Sequence, residues 1–354
     1  NKKKVVVVGC GFAGIRLIQE LDQNVFDIYV IDKLNNHQFQ PLFYQVATAQ
    51  IDPSSISFPL RNVFKRKRNV HIRIAEVTKI DSNNKQVITS IGNFEYDYLV
   101  IGIGCKTNFF GNREIEENSL TLKTTSEAIA IRNHVLMTFE RIISASPEEK
   151  ERLLNLVIVG AGPTGVELAG AFAEIKNTIL PKDYPDIDFK KLNIILIEGS
   201  KHTLNNMSDT AKTSSAKYLR AMGVTVITEV LMTNYDGKTA KLDNGKEIKT
   251  GTVIWAAGVT GNKIEGLPET SITRGNRIIV DRYNSVNGCD AIYAIGDIAY
   301  METPKYPKGH PQLANVAINQ AKCLAKNLKA IQLNNKLTEF EYKDLGSMAT
   351  IGNH

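Results

Sequence analysis

Two stretches of this 354-residue chain carry glycines at a spacing that brings backbone amides against a phosphate. Gly9, Gly11 and Gly14 follow the apolar run Val5–Val8, and Gly160, Gly162 and Gly165 follow Leu156–Val159. Between a strand and a helix, such glycines let the backbone approach a pyrophosphate, and the helix N-terminus offers free N–H groups and a partial positive charge. Each turn is trailed by an apolar strand with an acid at its end, Asp32 in the first case and Glu198 in the second. A dinucleotide fold places its acceptor for ribose hydroxyls there, and an acid at Glu198 repels a 2′-phosphate, which favours NADH over NADPH.

Further candidates sit at the other strand ends. The segment 97–104 closes on Gly102-x-Gly104, which lets the backbone close on a ligand. The second unit closes likewise on 252–258, with Ala257 and Gly258 at its end. Nearly equal offsets separate Gly9 from Gly160 and Gly104 from Gly258, so a whole unit is repeated rather than one motif. A third apolar strand, 291–295, leads into Gly296-Asp297. Taken singly that is an ordinary strand-to-turn ending; after two nucleotide units it acquires a role in holding the ribityl or phosphate part of a flavin. Glu167 lies in the first turn of the helix after Gly165. Its charge there interacts with the helix dipole for under about 1 kcal/mol, or it is a carboxylate close to where nicotinamide and flavin meet.

The elements that must hold these groups follow from periodicity. Helices are expected over 13–21, 127–143 and 312–331, the last with Ala314, Ala317, Ile318, Ala321, Leu324 and Leu328 on one face. Residues 70–80 and 85–90 alternate like strands about Asn83-Asn84, and Asp243-Asn244-Gly245 marks a hairpin turn. The stretch 37–53 has neither period, yet it is rich in Phe, Tyr and Gln; it reads as a packed surface loop or as a segment lying over a flavin. Residues 177–191 read as a surface insertion. The third strand and the helix after it have no dinucleotide turn of their own, so they return to the first domain. The expected fold is α/β, with two Rossmann-like dinucleotide-binding domains, the second inserted into the first: 1–112 and 271–354 around 113–270.

Composition excludes several classes. No apolar run approaches the roughly 18 residues needed to cross a bilayer, and the start NKKK-VVVV is too short for a signal peptide, which favours a reducing, cytoplasmic-side location. The net charge of +6 has one dense contributor, 61–73. That cluster lacks interleaved aromatics, so it reads as a solvated helix face near anionic lipid rather than a nucleic-acid surface. The four cysteines, Cys10, Cys105, Cys289 and Cys323, are scattered singly, and the histidines are isolated. Disulfide framework, metal site and redox disulfide are therefore not expected; the cysteines read as buried small hydrophobes, Trp255 as core, and the chemistry as a cofactor's.

Taken together, GCGFAG at Gly9, FQPLFYQVATA at 39–49, GAGPTGVELAG at 160–170, TVIWAAGV at 252–259, AIGDIA at 294–299, QLANVAINQ at 312–320 and SMATIG at 347–352 resemble the type II NADH dehydrogenases, single-subunit NADH:quinone oxidoreductases. The resemblance spans the whole chain. It implies FAD on the first domain, NADH on the second, and quinone on the flavin face opposite the nicotinamide. Hydride would pass to the flavin and two electrons to a membrane quinone, without proton pumping. Gln45, Thr48 and Ala314 join the cofactor contacts by the same resemblance. The family pattern A-Q-V-A-x-Q-Q borders the quinone; here Asn315 and Asn319 replace glutamines and reach one methylene less, and Gln320 completes the candidate set with Glu167. The family docks on the cytoplasmic face of the membrane through a C-terminal region beyond the segment at which this sequence stops, and it admits a homodimer. The competing readings are a soluble NADH-dependent flavin reductase, a sulfide:quinone oxidoreductase, which needs cysteines placed around the flavin, and a flavin-binding signalling protein resembling apoptosis-inducing factor.

Overall fold

The structure, a computed structural model, describes residues 1–352; the last two residues of the expected 271–354 segment lie outside them. The elements that position the site are, in chain order, β1 (Lys3–Val8), α1 (Phe12–Glu20), β2 (Phe26–Asp32), α2 (Phe43–Ala47), β3 (Val70–Ile74) and β4 (Tyr98–Ile101). There follow α3 (Thr125–Ser144), β5 (Asn155–Val159), α4 (Pro163–Thr178), β6 (Asn193–Ile197) and α5 (Asp209–Ala221). The chain then adds β7 (Val224–Ile227), β8 (Thr252–Trp255), β9 (Ile292–Ala294) and α6 (Ala314–Gln332).

The chain divides into two compact units. The first gathers Asn1–Gln38, Phe58–Lys106 and Thr260–Asp344 around a sheet of order β9-β4-β1-β2-β3, parallel throughout. Both faces of a parallel sheet are covered, which is why its strands read as unbroken apolar runs. Val5, Val6 and Val7 are fully buried, and each such side chain contributes about 1.5–3 kcal/mol. α6 packs along α1 through Ala317, Ala321, Leu324 and Leu328, and β9 extends the sheet beyond β4. Residues 70–80 do not form one strand: β3 belongs to this sheet, while Val77–Asp81 pairs antiparallel with Gln86–Thr89 in a separate three-stranded sheet.

The second unit gathers Phe39–Ser57, Thr107–Val259 and the segment from Leu345 around a sheet of order β7-β6-β5-β8, again parallel. The order repeats β3-β2-β1-β4, so the duplication seen in the glycine turns extends to topology. α3 starts where Thr124 caps it, with Glu127 reaching back to complete the capping box.

Three segments behave differently from the sequence expectation. The stretch 37–53, which the sequence leaves as a packed surface loop or a segment over a flavin within the first domain, contains α2, whose Phe43, Val46 and Ala47 are buried against α3 and α4, and 39–57 belong to the second unit. Periodicity misses so short a helix. Residues 177–191 are no mere surface insertion, because Leu180, Ile187 and Phe189 are buried and the Phe189 ring meets that of Phe139 edge-on at 5.5 Å. The tail from Leu345 also joins this unit. Gly170 in α4 makes room for it: a Cβ there would stand 3.0 Å from the Gly352 nitrogen and 3.2 Å from Ile351 Cα.

Candidate active site

The two glycine turns are built alike, each within its own unit. After β1 the Gly9 N–H donates to Ile31 O at 2.9 Å and the Cys10 N–H to Asp32 Oδ2 at 2.7 Å. After β5 the Gly160 N–H donates to Ile197 O at 2.8 Å and the Ala161 N–H to Glu198 Oε2 at 2.6 Å. The second carboxylate oxygen takes the Leu34 N–H in one case and the Ser200 N–H in the other, both at 2.8 Å. Each acid is thus fixed by backbone beside its turn. Burial raises the Asp32 carboxyl above its ordinary value, and the amides of Leu34 and Cys10 oppose that rise.

Within each turn the three glycines have different reasons. A Cβ on Gly14 would lie 2.1 Å from Gly9 O, and on Gly165 1.8 Å from Gly160 O. Gly9 and Gly160 have φ of +95° and +101°, and a Cβ there would meet Gly102 O at 2.4 Å or Ala256 O at 2.5 Å. The chain itself demands these four. Gly11 and Gly162 are different: a Cβ on either meets nothing within 4 Å. They open α1 and α4 without a side-chain cap, so first-turn N–H groups stay available beside free space.

Because α4 starts at Pro163 rather than after Gly165, no acid stands in its first turn, and Glu167 projects from the second. It is half-buried, Oε1 accepts the Thr350 N–H at 3.4 Å, and it lines a cavity of about 50 Å³ with Gln40, Tyr44, Lys123 and Thr164. Burial pushes its carboxyl up to about 7, against the smaller opposing effect of the Thr350 amide. Such a group exchanges a proton near neutrality. Gln45 and Thr48, one and four residues beyond Tyr44, turn part of their polarity inward: Gln45 Nε2 donates to Tyr44 Oη at 3.3 Å and the Thr48 hydroxyl donates to Tyr44 O at 2.8 Å. At the end of β8, half-buried Ala257 precedes Gly258, whose carbonyl accepts the Asn108 N–H at 3.0 Å and whose Cβ position lies 3.0 Å from the Phe110 ring.

In the first unit Gly102 follows β4, its N–H on Val8 O at 2.8 Å, and Gly104 has φ of +64° with open space where a Cβ would be. Ala314 opens α6. Asn315 is exposed, and Asn319 donates through Nδ2 to Asn315 O at 2.8 Å on the same helix. Gln320 is buried, and its Oε1 accepts the Gly296 N–H at 2.8 Å, so it holds the turn rather than facing outward. The Asp297 carbonyl is fixed from three sides, by Arg277 Nε at 2.8 Å, Gln312 Nε2 at 3.3 Å and the Cys105 thiol at 3.4 Å. The cysteines are therefore not all buried hydrophobes; only Cys10 is buried, and Cys105, Cys289 and Cys323 are partly exposed.

The structure brings Glu167 together with the Gln45 segment, and Gly296-Asp297 with Gln320. It adds Tyr44, Lys123 and Thr350 around Glu167 and Arg277 under Asp297. Tyr44 and Thr350 stand in stretches that carry the resemblance; Lys123 and Arg277 have no signal in the sequence.

Residues 3–321 match the pyridine nucleotide-disulphide oxidoreductase family. The type II NADH:quinone oxidoreductase Ndh of Mycobacterium tuberculosis is 32% identical over 367 aligned residues, covering 99% of this chain and 78% of that protein. The chain belongs to the type II NADH:quinone oxidoreductases. Another such type II enzyme, from Staphylococcus haemolyticus, is 29% identical, with 100% of this chain and 89% of the relative covered. Among solved structures, NDH2 of Plasmodium falciparum in complex with NADH superposes with a TM-score of 0.92 at 23% identity, over 100% of this chain and 89% of that one. At that identity the likeness establishes the fold: the mixed α/β architecture with parallel sheets is the type II oxidoreductase architecture.

Proposed function

We propose that this type II oxidoreductase passes a hydride from NADH to FAD and two electrons onward to a membrane quinone, without proton pumping. The observation that carries the reading is the pair of cradles, each with a middle glycine facing open space and a backbone-anchored carboxylate beside it. FAD fits the first cradle, where Gly9, Gly11 and Gly14 receive a pyrophosphate, Asp32 a ribose, and Gly102, Gly104 and the Gly296-Asp297 turn the rest of the cofactor. Once bound, FAD supplies the chemistry of taking a hydride and releasing electrons. NADH takes the second cradle, with Glu198 on its adenosine ribose and Ala257-Gly258 closing the backbone on it. Glu167 supplies a proton to the reduced quinone, with Gln45 and Thr48 on the adjoining α2 segment. Exposed Asn315 and half-buried Asn319 on α6 contact quinone, and Gln320 positions Gly296. No helix among the described residues is long and apolar enough to cross a membrane; on our reading the enzyme works peripherally at the cytoplasmic face of the membrane and can pair as a homodimer.

Purified protein is expected to be yellow, with a flavin absorption band, and to oxidise NADH faster when a soluble quinone is added. Colourless protein that FAD does not restore overturns the assignment of the first cradle. For the second, Glu198→Ala is expected to lower the ratio of kcat/KM for NADH over NADPH by about tenfold, roughly 1.4 kcal/mol of discrimination. An unchanged ratio removes Glu198 from the ribose.

A further inference from the structure

The overall reaction fixes a demand that assigning Glu167 as the proton donor leaves open, namely how that donor is refilled. A hydride carries two electrons and one proton from NADH, whereas reducing a quinone to a quinol takes two electrons and two protons. The balance is NADH + H⁺ + quinone → NAD⁺ + quinol, so one proton per turnover comes from water. If Glu167 delivers it, Glu167 must be reprotonated each cycle, although it is half-buried.

Beside the small Glu167 cavity lies a larger one in the same unit, about 250 Å³, room for several waters. Its lining is mostly polar, with Tyr44, Gln45, Gln50, Glu174 and Thr350 beside Ala171 and Gly352. Tyr44 lines both cavities, and Thr350, which lines the larger, donates its N–H to Glu167. Glu174 stands seven residues beyond Glu167 on α4, two helical turns and about 10 Å along the axis. Seven residues bring two side chains back to the same helix face, so both carboxylates look toward α2 and the tail. α2 runs beside α4, and the tail packs onto Gly170 between the two acids, so the link between the two cavities is made by Tyr44, which lines both, and by Thr350, which lines the larger and donates to Glu167. We propose that Glu174 and the waters of the cavity it lines carry the solvent proton to Glu167.

The charged or titratable side chains facing this path are few. Lys123 and Tyr44 line the Glu167 end, Tyr44 and Glu174 line the other, and the tail residues that close the path, Thr350 and Gly352, are uncharged. Glu174 has only to receive a proton from water and pass it on through water, so it acts through Glu167 and touches no reacting group.

The inference rests on Glu167 protonating the quinone, and the test separates the two. In flavin-loaded enzyme, Glu174→Gln is expected to leave the single-turnover reduction of flavin by NADH unchanged. Quinone-linked kcat should fall about tenfold at pH 8 and less at pH 6, where hydronium is more abundant. Glu174→Asp, or a small weak acid such as formate added to Glu174→Gln, should restore the rate. Independently of turnover, infrared spectra at pH 5.5 should show the Glu167 carboxyl exchanging its proton for deuterium more slowly in Glu174→Gln than in the parent. Unchanged exchange together with an unchanged pH profile overturns the relay, as does a loss of rate that neither Asp nor formate restores. If Glu167→Gln itself leaves quinone reduction intact, the underlying role of Glu167 has failed; if Glu167→Gln is impaired and Glu174→Gln is silent, only the relay has.

Discussion

Alanine at Gly162 is expected to leave the chain folded, with a melting temperature within about 2 °C of the parent, and to weaken NADH binding about tenfold or more. Alanine at Gly165 instead lowers the melting temperature by about 5–10 °C. The two residues stand three positions apart in one motif, and they differ in what an added methyl meets. At Gly162 there is nothing within 4 Å; at Gly165 the methyl would sit 1.8 Å from Gly160 O, a backbone atom that cannot swing aside. The turn must then open, which costs about 2–3 kcal/mol or more, and in a chain of this size each kcal/mol moves the melting temperature by about 2–4 °C. At Gly162 the methyl occupies only the space a pyrophosphate needs, so the effect falls on the ligand. Calorimetry and an NADH titration on both variants read the contrast. Equal NADH affinity in Gly162→Ala and the parent would mean that no dinucleotide approaches this turn. The same substitution pair at Gly11 and Gly14 is expected to divide in the same way between FAD retention and fold.

Glu167→Gln is expected to cut quinone-linked kcat by about a hundredfold or more, with the KM for NADH little changed, and to erase a titration near pH 7 from the kcat profile. The same variant reports on stability. Burial raises the carboxyl from 4.5 to about 7, so between those values the folded chain binds more proton than the unfolded chain. Stability therefore falls as pH rises through that window, and above it the chain carries the whole cost of an ionised, desolvated carboxylate. For a half-buried group that cost is about 1–3 kcal/mol. A neutral glutamine does not bear it, so Glu167→Gln should be more stable than the parent at pH 8 and nearly equal to it at pH 5. Denaturant midpoints at the two pH values measure the difference. A constant gap would place the raised titration elsewhere, and a full quinone-linked rate would return Glu167 to a structural part at the start of α4.

Together the two variants locate the division of labour in 156–170. On the proposed reading the glycines serve binding or fold, and the acid five residues past Gly162 serves proton transfer. Glu167 shares its helix with the NADH cradle, yet its chemistry depends on a helix and a tail that come from opposite ends of the chain, α2 and the segment from Leu345.

What was legible in the residues alone was whatever local geometry dictates. An apolar run that meets a glycine turn and a helix start has one economical form, so both turns, their trailing acids and the repeated succession of elements could be read from spacing, as could the return of β9 to the first domain. What the tertiary structure decided was every feature set by residues distant in sequence. The stretch 39–57 has no period because it is two short turns and a five-residue helix, and its burial comes from α3 and α4 rather than from its own pattern. Gln320 reads as an amide of the motif bordering the quinone, but it is buried and accepts the N–H of Gly296, 24 positions earlier. Glu167 reads equally as a helix-dipole acid or as a carboxylate where nicotinamide and flavin meet, and it is the burial that comes with Tyr44, Lys123 and Thr350 around it that pushes its carboxyl up to about 7. Local sterics act on neighbours and leave their mark in the sequence; desolvation is a property of whatever the folded chain brings near.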